Sequence, residues 1–326
     1  MHAEAQAAAP RKSSALETAK RWGGAVFLVL VLALLFKLAR DVDWAEAVRA
    51  LQRLPARTLW AAAALAALSH GIYACYDLVG RHQTGHPLPV ARTVAVNFMS
   101  YAFNLNLGSL VGGIAFRYRL YSRLGLAVDV ITRVLVLSLL TNWLGYFALA
   151  GATLLLWPPE LPASWGLAQA GLPLAGGFLL AVVVAYVGVC SGLRRRQWTW
   201  RQHQITLPSG RIALLQLALS TASWLVIASI VWTLLQQHVA FPLVLGALLT
   251  AAVAGVITHV PAGLGVLEAV FVLLLSRYVA QAELLGALLA YRALYYLAPL
   301  LVATVMFFAI DVAQGKRKGG RSRLSG

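Results

Sequence analysis

The chain has 326 residues, of which 60% are hydrophobic and only 12% are charged. A soluble domain carries about twice that charged fraction, and uncharged apolar runs of about 20 residues recur along this chain, which excludes a soluble fold. The runs also lack the alternation of β-strands, which excludes a transmembrane β-barrel.

The net charge of +16 is carried mainly by basic residues in short loops and tails between the apolar runs. This distribution is typical of orientation signals in membrane proteins, and it favours contact with membrane phospholipids over nucleic acid. The two cysteines and seven histidines show no ligand spacing, so we predict no metal site and no cofactor.

In chain order, the sequence predicts a basic cytoplasmic tail at 1–22, one integral membrane domain at 23–311 and a second basic cytoplasmic tail at 312–326. The fold class is therefore an all-α polytopic membrane protein. It is predicted to contain eight hydrophobic segments, of which about six are full spans and two are interrupted. The predicted full spans are 23–39, 59–78, 134–157, 167–190, 212–235 and 284–310.

The first interrupted segment covers residues 93–116. Polar residues and glycines occur there at a depth of about half the membrane thickness. The break contains Asn104, Asn106, Gly112 and Gly113, and the basic stretch that follows contains Arg117, Tyr118, Arg119 and Arg123.

The second interrupted segment covers residues 243–276. Pro261 removes a backbone donor, and Gly263 and Gly265 favour non-helical dihedral angles. Glu268 lies three residues after Gly265, in an apolar stretch that is expected to lie in the membrane. Irregular backbone and a charge at membrane depth persist only where protein or water surrounds them, so we expect function here. The alternative is an ordinary Pro/Gly kink with Glu268 favoured by a helix N-terminus.

Both interrupted segments are predicted to be re-entrant hairpins that return to the side they entered. In that topology twenty Lys and Arg residues face the cytoplasm and five face the outside, with both termini cytoplasmic. Two broken segments in inverted halves indicate a transport site near the membrane midplane. Two kinked full spans remain the alternative.

Arg117, Arg119 and Arg123 are candidates for binding a lipid headgroup, because guanidinium groups match phosphate geometry. Asn104, Asn106 and Tyr118 are grouped with them. The alternative is a set of basic anchors at the membrane surface, which we favour for Arg123.

Glu268 and Arg292 are predicted to form an ion pair. Arg292 lies about 12 Å inside the last span, and Glu268 lies about 10 Å from the same surface. His259 is a candidate proton partner, although a single His is more often satisfied by a backbone carbonyl. Asn142, inside another span, is a further candidate for a midplane polar group.

Three linked motifs are similar to those of the lysylphosphatidylglycerol synthase transmembrane-region family, and the resemblance covers nearly the whole chain. They are Val111–Ile114 with Arg117–Gly125, His259–Phe271, and Tyr291–Tyr296. The resemblance implies a bacterial inner-membrane protein whose membrane region moves a phospholipid between leaflets. In the family's best-understood members, the membrane region is joined to a soluble aminoacyl-transferase domain. Only fifteen residues follow Asp311 here, so we expect no such domain.

The predicted function is thus a flippase or transporter for phospholipids with an anionic or modified headgroup. One alternative is a non-transporting scaffold that partners a phospholipid-synthesis enzyme. The other is a membrane-embedded lipid-modifying enzyme. We do not predict an enzyme, because no nucleophile–base set or paired carboxylates are recognisable in the sequence.

Overall fold

The computed structural model describes residues 49, 52–158, 171–193, 197–200, 203–258 and 261–322. Only the backbone is described at 197–200, 203–206, 258, 261 and 311–322. The chain divides into two units, residues 1–43 and residues 44–326, and every described residue belongs to the second. The predicted tail 1–22, the predicted span 23–39 and His259 lie outside the described residues.

Helices dominate the described part of the chain. In chain order they are α1 (Ala56–Thr84), α2 (Val90–Leu107), α3 (Phe116–Arg123), α4 (Val128–Leu156), α5 (Gly171–Gly192), α6 (Gly210–Leu234), α7 (Phe241–Thr258), α8 (Val266–Leu275), α9 (Gln281–Tyr291) and α10 (Ala298–Ser322). Two π-helical segments, Ser109–Ala115 and Arg292–Leu297, precede α3 and α10, and a 3-10 turn at Pro261–Gly263 precedes α8.

Among the described residues, five helical stretches are long and apolar enough to cross a membrane, and two shorter apolar helices, 241–257 and 266–275, accompany them. The five stretches are 56–84, 128–156, 171–192, 210–234 and 281–310. They correspond to five of the six predicted spans. The prediction of a polytopic helical membrane protein is therefore confirmed.

The helices begin and end where local chemistry allows. Pro55 and Pro89 directly precede α1 and α2, a position that tolerates the missing N–H. Gly85, with φ of 64°, closes α1 by donating its N–H to the Arg81 carbonyl at 3.0 Å. The predicted span ended near Asp77, but α1 continues to Thr84, so Asp77 lies inside the helix.

Two short antiparallel strands lie between α5 and α6 in the otherwise helical part of the chain that the structure describes. Strands β1 (Gln197–Trp200) and β2 (His203–Thr206) pair antiparallel, with Trp198 opposite Ile205. Aromatic and β-branched residues favour such pairing over helix in this short connection.

The first interrupted segment folds as a chain reversal, which we call the first reversal (residues 90–123). Gly108 turns the chain with a φ of 82°, and the π-helical segment then packs against α2. A Cβ on Gly112 would lie 2.3 Å from backbone atoms of Phe103 and Asn104, so only glycine allows this approach. Farther along, the rings of Phe103 and Phe116 stack with centroids 4.1 Å apart.

The second interrupted segment also reverses, and we call it the second reversal (residues 241–275). Helix α8 packs against α7. Ala262, Gly263 and Gly265 between them have φ values of 57°, 57° and 76°. The left-handed conformation is costly for Ala262, because its Cβ crowds the backbone. The chain reverses its direction at both predicted breaks, and the assignment of these segments as re-entrant hairpins stays a prediction.

Candidate functional site

A cavity of about 510 Å³ lies where the two reversals meet. The first reversal contributes its turn, including Asn104 and Gly108, and the second contributes Ala262 and Gly263. Helix α6 and the π-helical segment 292–297 complete the wall with aromatic side chains. The lining residues are apolar or uncharged polar, so the cavity suits an amphipathic guest.

Tyrosines form a hydrogen-bonded wall beside the cavity. The hydroxyls of Tyr101 and Tyr295 lie 2.8 Å apart, and the Tyr295 hydroxyl lies 3.0 Å from Ser69 Oγ. The rings of Tyr73 and Tyr101 stack with centroids 3.5 Å apart. The hydroxyls of Ser69, Tyr101 and Tyr295 thus satisfy one another, and the wall joins α1, α2 and the π-helical segment 292–297.

Arg292 and Glu268 form the predicted ion pair, and this contact is confirmed. Arg292 Nε donates to Glu268 Oε1, and Nη2 donates to Oε2 at 3.0 Å. The two side chains are 7% and 20% exposed. A bidentate, charge-assisted contact of this kind is stronger than a single neutral hydrogen bond.

Arg292 also holds the backbone of the second reversal. Its Nη1 donates to the Ala262 carbonyl at 3.0 Å, and its Nη2 donates to the Gly263 carbonyl at 2.9 Å. The Tyr296 ring lies beneath the guanidinium, 5.5 Å from its carbon to the ring centroid. One side chain therefore supports the strained break and pairs the carboxylate beyond it. Of the three residues predicted to break the helix, Gly263 thus contacts Arg292 directly through its carbonyl.

Arg117 makes a second buried ion pair, with Asp77 of α1. Arg117 Nη2 lies 3.2 Å from Asp77 Oδ1, and the side chains are 3% and 0% exposed. Tyr121 donates its hydroxyl to Asp77 Oδ2 at 2.8 Å. Within the described chain, Arg117 Nε, Arg117 Nη2 and Asp77 Oδ1 have no hydrogen-bond partner with good alignment. Arg117 differs in this from Arg292. The pair is therefore held by Coulomb attraction and not by bidentate hydrogen bonds.

The other residues of the predicted headgroup group take different positions. Asn104 lines the cavity. Asn106 is buried and donates to the carbonyls of Ala102 and Tyr296, which ties the first reversal to the π-helical segment 292–297. The Tyr118 hydroxyl lies 2.7 Å from Thr132 Oγ1. The Arg119 guanidinium lies 5.8 Å from the centroid of the Phe307 ring.

Several predicted residues do not reach the cavity. Arg117, Arg119, Arg123 and Asn142 are not among its lining residues. The Asn142 backbone carbonyl accepts from Ser220 Oγ at 2.9 Å and from Trp224 Nε1 at 3.3 Å. Gly112 and Gly113 allow the close packing of the first reversal, since a Cβ on Gly113 would lie 2.8 Å from Asn104 Oδ1.

The sequence interpretation missed Asp77 and the tyrosines as site residues. A signal for Asp77 was present, because a carboxylate within an apolar span is a candidate for a functional or paired group. Tyr101 and Tyr295 also carry polar groups inside apolar segments, and such groups need partners. Neither signal indicates which partner is chosen.

These features define a polytopic helical membrane protein with two chain reversals around an apolar cavity and a buried ion pair at each. The family described as Lysylphosphatidylglycerol synthase TM region matches residues 22–303. The chain belongs to this family, so the resemblance expected from the three motifs is confirmed.

Individual relatives extend the comparison. The Inner membrane protein YbhN of Escherichia coli (strain K12) is 42% identical over 293 residues, which cover 90% of this chain and 92% of YbhN. An uncharacterized Synechocystis protein, slr0712, is 31% identical over 300 residues, again 90% and 92% of the two chains. A Phosphatidylglycerol lysyltransferase of Staphylococcus haemolyticus is 32% identical over 91 residues, which cover 27% of this chain and 11% of the lysyltransferase.

Proposed function

We propose that the protein moves phospholipids between the leaflets of a bacterial inner membrane. The observation that carries the proposal is the cavity of about 510 Å³ between the two reversals. Irregular backbone at membrane depth is tolerated where it lines a cavity, and paired broken segments are typical of transport sites. The cavity's apolar wall suits acyl chains and its Asn, Ser and Tyr groups suit a polar headgroup.

The relatives support a lipid substrate and this location. YbhN is named as an inner membrane protein, and the matched part of the Staphylococcus protein belongs to an enzyme named for phosphatidylglycerol. We therefore place phospholipids with an anionic or modified headgroup first among the substrates. Both termini are proposed to lie in the cytoplasm.

The proposal is tested by leaflet-resolved lipid movement in liposomes that contain the purified protein and labelled phosphatidylglycerol. The wild-type protein is expected to accelerate exchange between leaflets over protein-free liposomes. Ala252→Phe adds a ring to the cavity wall and is expected to reduce the acceleration at least several-fold. Ala218→Phe adds the same ring at an exposed position of α6 and is expected to leave movement unchanged.

Three results would contradict the proposal. If folded wild-type protein does not raise the exchange rate above that of protein-free liposomes, the transport proposal is wrong. Co-purification of a phospholipid-synthesis enzyme with such a protein would support the scaffold alternative. Equal effects of the two Phe variants would remove the cavity from the transport path.

A further inference from the structure

Several buried polar atoms without hydrogen-bond partners lie along one face of α2. Asn97, Ser100 and Asn104 share that face, because they are spaced by three and four residues. Asn97 and Ser100 are 0% exposed. Both polar side-chain atoms of Asn97, Ser100 Oγ and Asn104 Oδ1 lack a partner within the described part of the chain. We call these three residues the polar stripe.

The upper end of the polar stripe opens into the cavity between the reversals. Asn104 is one of the lining residues of that cavity. Ser100 follows one turn away and Asn97 a further turn, so the stripe runs from the cavity toward the N-terminal end of α2.

The lower end of the stripe reaches the depth of the Asp77–Arg117 pair. Asp77 lies seven residues before the end of α1, and Asn97 lies seven residues after the start of α2. Both are therefore about 10 Å from the loop that joins these packed helices. At this depth Asp77 Oδ1 and Arg117 Nε and Nη2 also lack aligned partners among the described residues.

His86 continues the same series into the loop between α1 and α2. Its side chain is buried, and neither ring nitrogen has a hydrogen-bond partner in the region the structure describes. Its ring centroid lies 6.2 Å from that of Tyr121, whose hydroxyl donates to Asp77. Polar groups without partners thus extend from the cavity to the loop.

Proteins rarely leave so many buried polar groups unpaired, because each has lost its bonds to water without replacement. Buried waters commonly satisfy such groups when several lie close together. The second reversal provides a contrast within the same molecule, since Arg292 there has its fork filled by Glu268 and two carbonyls. In the first reversal, by contrast, Asn97, Ser100 and Asn104 keep side-chain atoms without a hydrogen-bond partner among the described residues.

We propose that the polar stripe, the Asp77–Arg117 pair and His86 line a hydrated path from the cavity to the loop between α1 and α2. The stripe carries amide and hydroxyl groups, and the charges of Asp77 and Arg117 offset each other. The path therefore binds water and the uncharged hydrogen-bonding groups of a headgroup, such as hydroxyls and ester carbonyls. The headgroup part of this inference rests on the proposed transport function, whereas hydration of the path does not.

Hydration is tested with Ag⁺, a small hydrated cation that reacts with thiols where water reaches them. Asn97→Cys, Ser100→Cys and Asn104→Cys are made in a Cys75→Ser, Cys190→Ser background and assayed in detergent. Met99→Cys and Ala102→Cys are the controls, because these residues are equally buried but lie on other faces of α2. Stripe positions are expected to react at least ten-fold faster than the controls.

Absence of reaction at positions 97 and 100, or equal rates at all five positions, would overturn the hydrated path. Asn97→Leu gives a second readout if a cysteine variant folds poorly. In a dry site, removal of an unpartnered amide would raise the melting temperature, and that rise would also overturn the path. In a hydrated site, no rise is expected.

The two proposals fail separately. Fast Ag⁺ reaction without lipid movement by the wild-type protein would leave the path but remove its headgroup role. Lipid movement without Ag⁺ reaction would leave the transport function and remove this path.

Discussion

Arg292 donates to both carboxylate oxygens of Glu268 through Nε and Nη2 and at the same time donates to the carbonyls of Ala262 and Gly263. The pair thus links the second reversal to the long helical stretch that contains Arg292. A charge at the centre of a membrane helix costs about 2.5–3.5 kcal/mol on insertion scales, so pairing is the least costly way to keep both groups.

The first prediction concerns the coupling of this pair. Glu268→Gln and Arg292→Gln are each expected to destabilise the protein, by about 3–5 kcal/mol for loss of one partner of a buried pair. Arg292→Gln should be the more harmful, because it also releases the carbonyls of Ala262 and Gly263. The double variant should cost less than the sum of the single variants. Thermal unfolding and folded yield in detergent measure these effects.

Lipid movement by the same variants separates structure from transport. If folded yield recovers in the double variant while transport does not, the charges themselves are needed for movement. Simple additivity of the two single effects would contradict the coupling between Glu268 and Arg292.

The second prediction concerns the close approach in the first reversal. Gly112→Ala places a Cβ 2.3 Å from backbone atoms of Phe103 and Asn104, so the π-helical segment 109–115 must move away from α2. We expect a loss of about 1–3 kcal/mol, as in other overpacked sites, and reduced lipid movement. Thermal unfolding in detergent gives the stability change.

Gly188→Ala in α5 is the matched control. Nothing lies within 4 Å of its added Cβ, and glycine in a helix is less stable than alanine by about 0.5–1 kcal/mol. This variant is expected to retain or gain stability. If Gly112→Ala leaves thermal stability unchanged, the π-helical segment 109–115 can move away from α2 without cost, and the prediction is wrong.

The third prediction concerns Arg117. Arg117→Ala leaves the buried Asp77 carboxylate without its cation, whereas an Arg in the basic tail contributes about 1 kcal/mol at an anionic membrane surface. Arg117→Ala is therefore expected to lower lipid movement more than Arg321→Ala, with rates normalised to folded protein. Adding Asp77→Asn should restore part of the folded yield. Equal effects of the two Arg variants would reduce Arg117 to a surface anchor.

The fourth prediction concerns topology and follows from the excess of basic residues assigned to the cytoplasmic side. In a background without native cysteines, cysteine at position 160 or 238 should react with an impermeant maleimide added outside intact cells. Cysteine at position 195 should react only after the membrane is opened. Labelling of position 195 from outside would rule out the topology with two re-entrant hairpins.

Local composition was sufficient to predict the helical spans and the two breaks. A run of about 20 apolar residues must satisfy its backbone within a helix in lipid, whatever its neighbours are. Clusters of glycine, proline and polar residues disfavour a continuous helix, so the breaks near Gly112 and Pro261 were predicted by the same local argument. Helix ends were less predictable, as α1 shows by continuing through Thr84 beyond Asp77.

One ion pair was predictable and the other was not. Glu268 and Arg292 belong to segments whose depth could be counted along the chain, and their depths matched. Arg117 was assigned to a headgroup because its charge was evident, but its contact with Asp77 depends on how α3 is placed against α1. No count along one helix gives that placement.

The sequence by itself therefore determined the membrane class, five of the predicted spans and the positions of the breaks, because these depend on hydrophobic length and backbone chemistry within single segments. Only the tertiary structure decided that both reversals border one cavity, that Arg117 pairs with Asp77 and that Tyr101 meets Tyr295. Those contacts join residues from 40 to 194 positions apart. They are fixed by the packing of whole helices against one another, which follows from the fit of many side chains at once.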